Sequence, residues 1–229
     1  MIQKSNMPNL IIKNPFGEKA LIVNEITKKQ KMKYAFKAIS AIVLSLGLYL
    51  SYSYVKIIVE ENAFLQHKLT QDVAQNSDEN DNTLLNSFAE IIQKEGGVDK
   101  DVSYNYAKWI FESAYKEKVD PSLLLAIISV ESKFDYKAVS NSNAVGLMQI
   151  IYSWHKEKVK NKADLYDPET NIKTGSKIVK EYLERSSNIV EALLRYNGSL
   201  GQSPIYSMKV IETQKRYNLQ IMKKLSVTT

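Results

Sequence analysis

Eighteen consecutive residues without a charge, Ala38 to Val55, constrain this chain more than any other segment. At about 1.5 Å rise per residue such a run makes a helix of about 27 Å, close to the thickness of a bilayer hydrocarbon core. A soluble core helix is the competing reading, but the flanks favour a membrane span. Tyr49, Tyr52 and Tyr54 crowd its C-terminal end, as aromatic residues do at a membrane interface. Eight Lys and two Glu among residues 1–37 account for the whole net charge of +6. The positive-inside tendency therefore puts the N-terminus in the cytoplasm and everything after Val55 on the far side. No small-x-small cleavage site follows the apolar run, so a retained anchor is expected rather than a removed signal peptide.

Because the basic excess sits in the tail and the rest of the chain is neutral overall, its pI of about 9.1 does not point to nucleic acid. The tail is a topology signal or a contact for anionic lipid. Cysteine is absent, which excludes disulfides and thiolate sites. His67 and His155 lack metal-ligand spacing, and neither a Ser-His-Asp set nor a Walker-type phosphate loop is present. No metal and no cofactor are expected.

Beyond the span, residues 56–75 read as a mostly helical stalk, with Ile58, Leu65, Leu69 and Val73 loosely periodic. Residues 76–82 (NSDENDN) read as a polar acidic linker, and residues 84–94 as a short helix ended by Gly96 and Gly97. From Val102 onward apolar residues recur at helical spacing: Tyr106, Trp109, Ile110, Phe111 and Ala114, later Ile178, Leu183, Ile189, Leu193 and Leu194. No convincing alternating strand run appears. The expected organisation is a basic tail (1–37), a transmembrane helix (38–55), a stalk and linker (56–101) and a compact, mainly α domain (102–229).

Within that domain Asp120 followed by Pro121 is a good helix start, a capping acid before proline at the first helical position. The run Leu123 to Val130 is apolar, and Glu131 closes it. Leu124, Ile127 and Ile128 lie seven, four and three residues before Glu131, on the same helix face. A carboxyl beside such side chains is partly removed from water, which favours its neutral form and suits a general acid near neutral pH. A solvated carboxylate at the end of a buried helix is the bland alternative.

The residues after Glu131 favour the sharper reading. Glu131-Ser132, Phe134, Ala138-Val139-Ser140 and Ala144-Val145-Gly146-Leu147-Met148-Gln149-Ile150 form an ordered string. Asp167-Pro168-Glu169-Thr170-Asn171-Ile172 with Gly175 follows, then Ala192 to Gly198, containing Tyr196-Asn197, with Tyr206 and Val210 downstream. Together, over residues 102–218, these motifs resemble the soluble lytic transglycosylase family, which shares a fold with goose-type lysozyme. The resemblance implies a compact lysozyme-like helical domain in which Glu131 is the only catalytic carboxyl. It implies that Ser140 and Gln149 line a glycan cleft, with Tyr196 and Asn197 beside them and Gly146, Met148 and Ile151 shaping its wall. Met148 and Ile151 fit a core role equally well, Ser140 a turn, and Asn197 a loop-holding role.

The chain also departs from the family pattern. Asn143 stands where Gly is usual, a mild change because Asn tolerates the left-handed conformation. Ile151-Tyr152-Ser153-Trp154 replaces a segment that usually contains Pro, and Tyr196-Asn197 continues as Gly198-Ser199-Leu200-Gly201.

Two carboxylates serve most glycosidases, and Asp135 and Asp167 are the partners that sequence offers, both with the look of turn or cap residues. The resemblance implies instead that the muramic N-acetyl oxygen assists while Glu131 acts as acid and then base, leaving a 1,6-anhydromuramic product. The expected protein is an inner-membrane, single-pass peptidoglycan lytic transglycosylase with its catalytic domain outside the cytoplasm. Its partners are glycan strands and the membrane. A secretion or conjugation apparatus, ordinary wall remodelling or phage entry and exit (with a virion membrane) would each suit it. A lysozyme-like hydrolase and a non-catalytic glycan-binding scaffold are the alternatives.

Overall fold

The computed structural model describes residues 19–75 and 77–228. Lys4 and Lys13 of the basic tail and Asn76 of the linker lie outside the described residues. Among those described, seven α-helices and one two-stranded ribbon account for the regular structure, with two short 3-10 turns. The chain divides into two units, residues 1–54 and 55–229, and helix α1 (Lys19–Gln75) contributes to both.

Among the described residues of the first unit the large apolar side chains stand exposed. Ile39, Ile42, Val43, Leu44, Leu46, Leu48 and Leu50 are all exposed, in every direction around the helix. Ser45 and Ser51 return their hydroxyls to the carbonyls of Ile42 and Leu48, at 2.8 and 2.9 Å, so these polar side chains satisfy themselves within the helix. The stretch Gln30–Lys68 is long and apolar enough to cross a membrane, with a mean hydropathy of 1.7 in its best window. A helix that is hydrophobic all round, and bare, suits lipid as its solvent.

The second unit is built around α4 (Pro121–Ser132). Asp120 caps it, accepting from the Ser122 N–H at 2.8 Å, with Pro121 in the first turn. Leu123 through Ile128 are all buried, so this helix is apolar on every side and lies at the centre of the core. Full burial of each large aliphatic side chain contributes about 1.5–3 kcal/mol. Helix α7 (Ile205–Thr228) packs along α4, while α3 (Lys100–Glu117) lies between α2 (Ser77–Gly96) and α5 (Pro168–Glu184). Helix α6 (Ile189–Asn197), capped by Asn188, bridges α5 and α7.

This core extends further toward the N-terminus than the pattern from Val102 suggests. Phe88 and Ile92 of α2 are fully buried, and the Phe88 ring lies 4.5 Å from that of Phe111. Residues read above as linker are helical from Ser77 onward. Residues read as a stalk also join the unit: Ile58 and Leu65 are buried, and so is Asn62. Asn62 donates to Gln214 at 2.7 Å and accepts from Asn218 at 3.1 Å, while Gln66 donates to the Ser122 hydroxyl at 2.6 Å. Gln214 in turn donates to Asp120 at 2.9 Å. Asn62 is thus a satisfied buried group, whose partners come from over 150 residues away.

The ribbon pairs β1 (Ala144–Val145) with β2 (Ile150–Ile151) in antiparallel register, Ala144 opposite Ile151 and Val145 opposite Ile150. Strands of two residues are too short to leave an alternating signature, which is why none is visible in the sequence.

Candidate active site

Helix α4 carries Glu131 in its last turn and then stops abruptly. Lys133 and Phe134 both take left-handed backbone conformations, φ 53° and 66°. Neither is Gly, so the turn is strained, and burial of Phe134 compensates. A Cβ on Gly96 would come within 2.8 Å of the Phe134 Cβ, so the absence of a side chain at the end of α2 is what lets Phe134 seat there.

Glu131 is half-buried at the floor of a cleft of about 510 Å³. Its Oε1 accepts a hydrogen bond from the Tyr206 hydroxyl at 2.5 Å. Burial pushes the carboxyl above its ordinary value; the Tyr206 bond and the positive charge of Lys209 offset part of that rise. Burial and the nearby Glu131 charge push the Tyr206 and Tyr196 phenols well up, so both remain neutral hydrogen-bond donors. The geometry is that of a single carboxyl held ready to exchange a proton.

Asn171 holds the loop between β1 and β2. It is wholly buried at the start of α5, where Asp167 caps the helix through the Thr170 N–H at 2.8 Å. Its Oδ1 accepts from the Met148 N–H at 2.8 Å, and its Nδ2 donates to the carbonyls of Val145 and Leu165 at 2.9 and 2.7 Å. One amide therefore holds both ends of the Gly146–Met148 loop. Gly146 has φ +77°, and a Cβ there would meet the Asn171 Nδ2 at 2.2 Å. Gly175, one turn later, admits the Met148 side chain, whose Sδ would lie 2.3 Å from an added Cβ. Asn143 adopts φ 59°, the left-handed conformation expected of it.

These contacts sort the residues singled out in the sequence. Ser140, Gln149, Ile151, Tyr196 and Asn197 line the cleft with Glu131. Ser140 has a second task, its hydroxyl accepting from the N–H groups of Ser142 and Ala144 at 3.2 and 3.1 Å. Gln149, at φ 49°, commits its amide nitrogen to the carbonyls of Ala138 and Gly146, at 3.1 and 2.9 Å. Tyr196 donates to the Met148 carbonyl at 2.7 Å. Met148 and Gly146 do not line the cleft. Met148 is fully buried beneath it and Gly146 is buried in the loop, so both act by shaping the wall. Residue type alone could not separate these roles, because a Met fills a core and a cleft wall equally well.

Asp135 and Asp167 are both outside the cleft lining: Asp135 accepts from the Lys137 N–H in an exposed turn, and Asp167 caps α5. Glu131 is thus the sole carboxylate among the described residues lining the cleft. Tyr206 appears in the sequence only as a motif echo; its contact with Glu131 joins residues 75 positions apart. Asn171 and Gly175 likewise appear as a helix-start motif, while Trp154 and His155 of the cleft lining appear only as part of a departing segment and as a histidine without metal-ligand spacing.

Residues 108–218 match the family model described as the Transglycosylase SLT domain. Among curated relatives, membrane-bound lytic murein transglycosylase C of Photorhabdus laumondii is 31% identical, over 54% of this chain and 38% of its own length. The protein of the same name from Cronobacter sakazakii is 29% identical over the same shares. The chain thus spans less than two fifths of these relatives. A solved structure of an inactive mutant of the lytic transglycosylase Slt from Pseudomonas aeruginosa is 20% identical, with a TM-score of 0.39 over 52% of this chain and 23% of that one. Glu131, Asn171, Tyr196 and Tyr206 all fall within the segment that matches the transglycosylase SLT domain.

Proposed function

We propose that this protein is a membrane-anchored peptidoglycan lytic transglycosylase that cleaves the β-1,4 linkage between N-acetylmuramic acid and N-acetylglucosamine. The observation that carries this reading is the lone carboxylate of the cleft, raised by burial and bonded to Tyr206. With one carboxyl at hand, the protonated Glu131 donates to the departing glycosidic oxygen as the C1–O4 bond breaks. The substrate's N-acetyl oxygen supports the positive charge that develops at C1. Glu131, now ionised, takes the proton of the muramic C6 hydroxyl, and the C6 oxygen closes on C1. One bond breaks, one forms, no water is consumed, and Glu131 ends protonated as it began. Such alternation needs a carboxyl whose pKa lies nearer the working pH than that of a solvated Glu.

Ser140, Gln149, Tyr196 and Asn197 are the groups we assign to glycan contact, with Ile151 as apolar wall. The bare apolar helix of residues 38–55 is assigned as the anchor in the inner membrane, with the basic tail in the cytoplasm and the SLT domain outside it. Secretion, conjugation, phage passage and wall remodelling are all settings in which an anchored wall-cutting enzyme is useful.

Mass spectrometry of purified peptidoglycan digested by the full chain, beside its Glu131→Gln variant, tests the assignment. Anhydromuropeptides that vanish with the variant are expected. Reducing-end muropeptides would mean a hydrolase, and no products from a folded sample would mean a binding or scaffold role.

A further inference from the structure

The segment Ile151-Tyr152-Ser153-Trp154, where this chain departs from the family pattern, forms a short 3-10 turn directly after β2. Residues two apart in a 3-10 turn point in different directions. Tyr152 turns inward against the core and its hydroxyl donates to the Lys160 carbonyl at 3.2 Å. Trp154 turns outward and is 61% exposed, although it is the largest side chain of the cleft lining. The other tryptophan, Trp109, packs against the core. A single exposed indole is ordinary on a protein surface; what sets Trp154 apart is that it lines the cleft that holds Glu131.

Its surroundings give that place a role. Trp154 shares the cleft with Ser142, Ser153 and Asn197, and its six-membered ring lies beside Gly198, the left-handed cap of α6. An added Cβ at Gly198 would be 3.7 Å from Cη2 and 3.8 Å from Cζ3. The ring therefore closes the gap between the two walls, the one that follows β2 and the one that ends α6. Glycine at 198 leaves that edge of the ring uncovered. An exposed aromatic face bordered by hydroxyl and amide groups matches a pyranose, which has apolar C–H faces and a polar rim.

We propose that Trp154 is a stacking platform for a sugar ring of the bound glycan, and that it sets how tightly the cleft holds a strand without taking part in proton transfer. This rests on the glycan-cleaving reading of the Glu131 site.

The test uses the full chain in a detergent without a sugar headgroup, carrying Glu131→Gln so that ligand survives. It is titrated by calorimetry with the β-1,4-linked N-acetylglucosamine hexamer. Removing one stacking aromatic is expected to weaken binding about tenfold. Trp154→Ala and Trp154→Leu should both show this, while Trp154→Phe stays within about threefold. The Leu variant separates stacking from simple apolar contact. Tryptophan fluorescence gives a second readout, since only Trp109 remains in these variants and the ligand-induced change should disappear. Unchanged affinity in Trp154→Ala would overturn the proposal and leave the active-site reading intact. If the hexamer does not bind but the chain with Glu131 intact cleaves peptidoglycan, KM decides: in Trp154→Ala with Glu131 intact, a raised KM with unchanged kcat supports stacking, and an unchanged KM refutes it. No binding by the Glu131→Gln chain and no cleavage by the chain with Glu131 intact would remove both readings together.

Discussion

Replacing Tyr206 by Phe tests the central physical claim about Glu131. The substitution removes one oxygen and leaves the ring that packs near the floor of the cleft. What disappears is the 2.5 Å hydrogen bond to Glu131 Oε1, which favours the ionised carboxylate and partly offsets the effect of burial. Hydrogen bonds to charged groups contribute about 1.5–3 kcal/mol. At 1.36 kcal/mol per pH unit, the Glu131 titration should move upward by about 1 to 2 pH units. On the proposed mechanism the free enzyme holds Glu131 protonated to donate to the leaving oxygen, so kcat/KM should fall as pH rises through that titration. The alkaline limb of a kcat/KM profile for peptidoglycan solubilisation should therefore shift up by about that amount in Tyr206→Phe. A structural defect would lower the whole profile without moving its limb. An unmoved limb, or one that moves down, would refute the claim that Tyr206 tunes Glu131.

The remaining predictions concern the carboxyl itself, the loop and the limits of the domain. Glu131→Gln should fold and lose glycan cleavage by about 10²- to 10⁴-fold, read from muropeptide release. It should also melt higher than the parent at pH 8. The folded pKa of Glu131 is raised, so the parent is most stable below the unfolded value and loses stability as pH rises through the folded one; the two proteins should converge near pH 4. Asn171→Ala orphans the Met148 N–H and the Val145 and Leu165 carbonyls, at about 1–3 kcal/mol each. At least about 3 kcal/mol, or roughly 6–12 °C in melting temperature, should be lost for a unit of this size, together with cleavage. A chain starting at Val102 lacks Phe88, Ile91 and Ile92, whose burial contributes about 5–9 kcal/mol, much of a domain's typical net stability. It should fail to unfold cooperatively by circular dichroism, whereas one starting at Val55 should do so.

Several parts of this protein are legible without coordinates because their physics is local. The cap at Asp120-Pro121, the apolar α4, its terminal Glu131 and the left-handed Asn143 all follow from adjacent residues. The apolar run 38–55 is visible for the same reason, since its length and flanks are properties of one segment. The ordered motifs narrow the chemistry further, because Glu131, Ser140 and Gln149 lie within nineteen residues and their spacing survives folding.

What the fold alone decides is which distant groups meet and which side of a wall each side chain faces. Met148 reads as a cleft residue from its motif, yet a Gly on another helix and the amide of Asn171 draw it inside. Asn62 and Gln66 carry no signal in the stalk reading of residues 56–75, and their bonds to Gln214, Asn218 and Ser122, formed only in the fold, join that segment to the domain. Asp135 and Asp167 remain open partners for Glu131 until their backbone contacts turn them away from the cleft. Residue order thus pointed to the class of chemistry proposed for this protein and to Glu131 as its candidate carboxyl. Only tertiary packing decided that this carboxyl stands alone, because burial, hydrogen-bond partners and cleft walls come from residues tens of positions apart and have no signature in any one stretch of sequence.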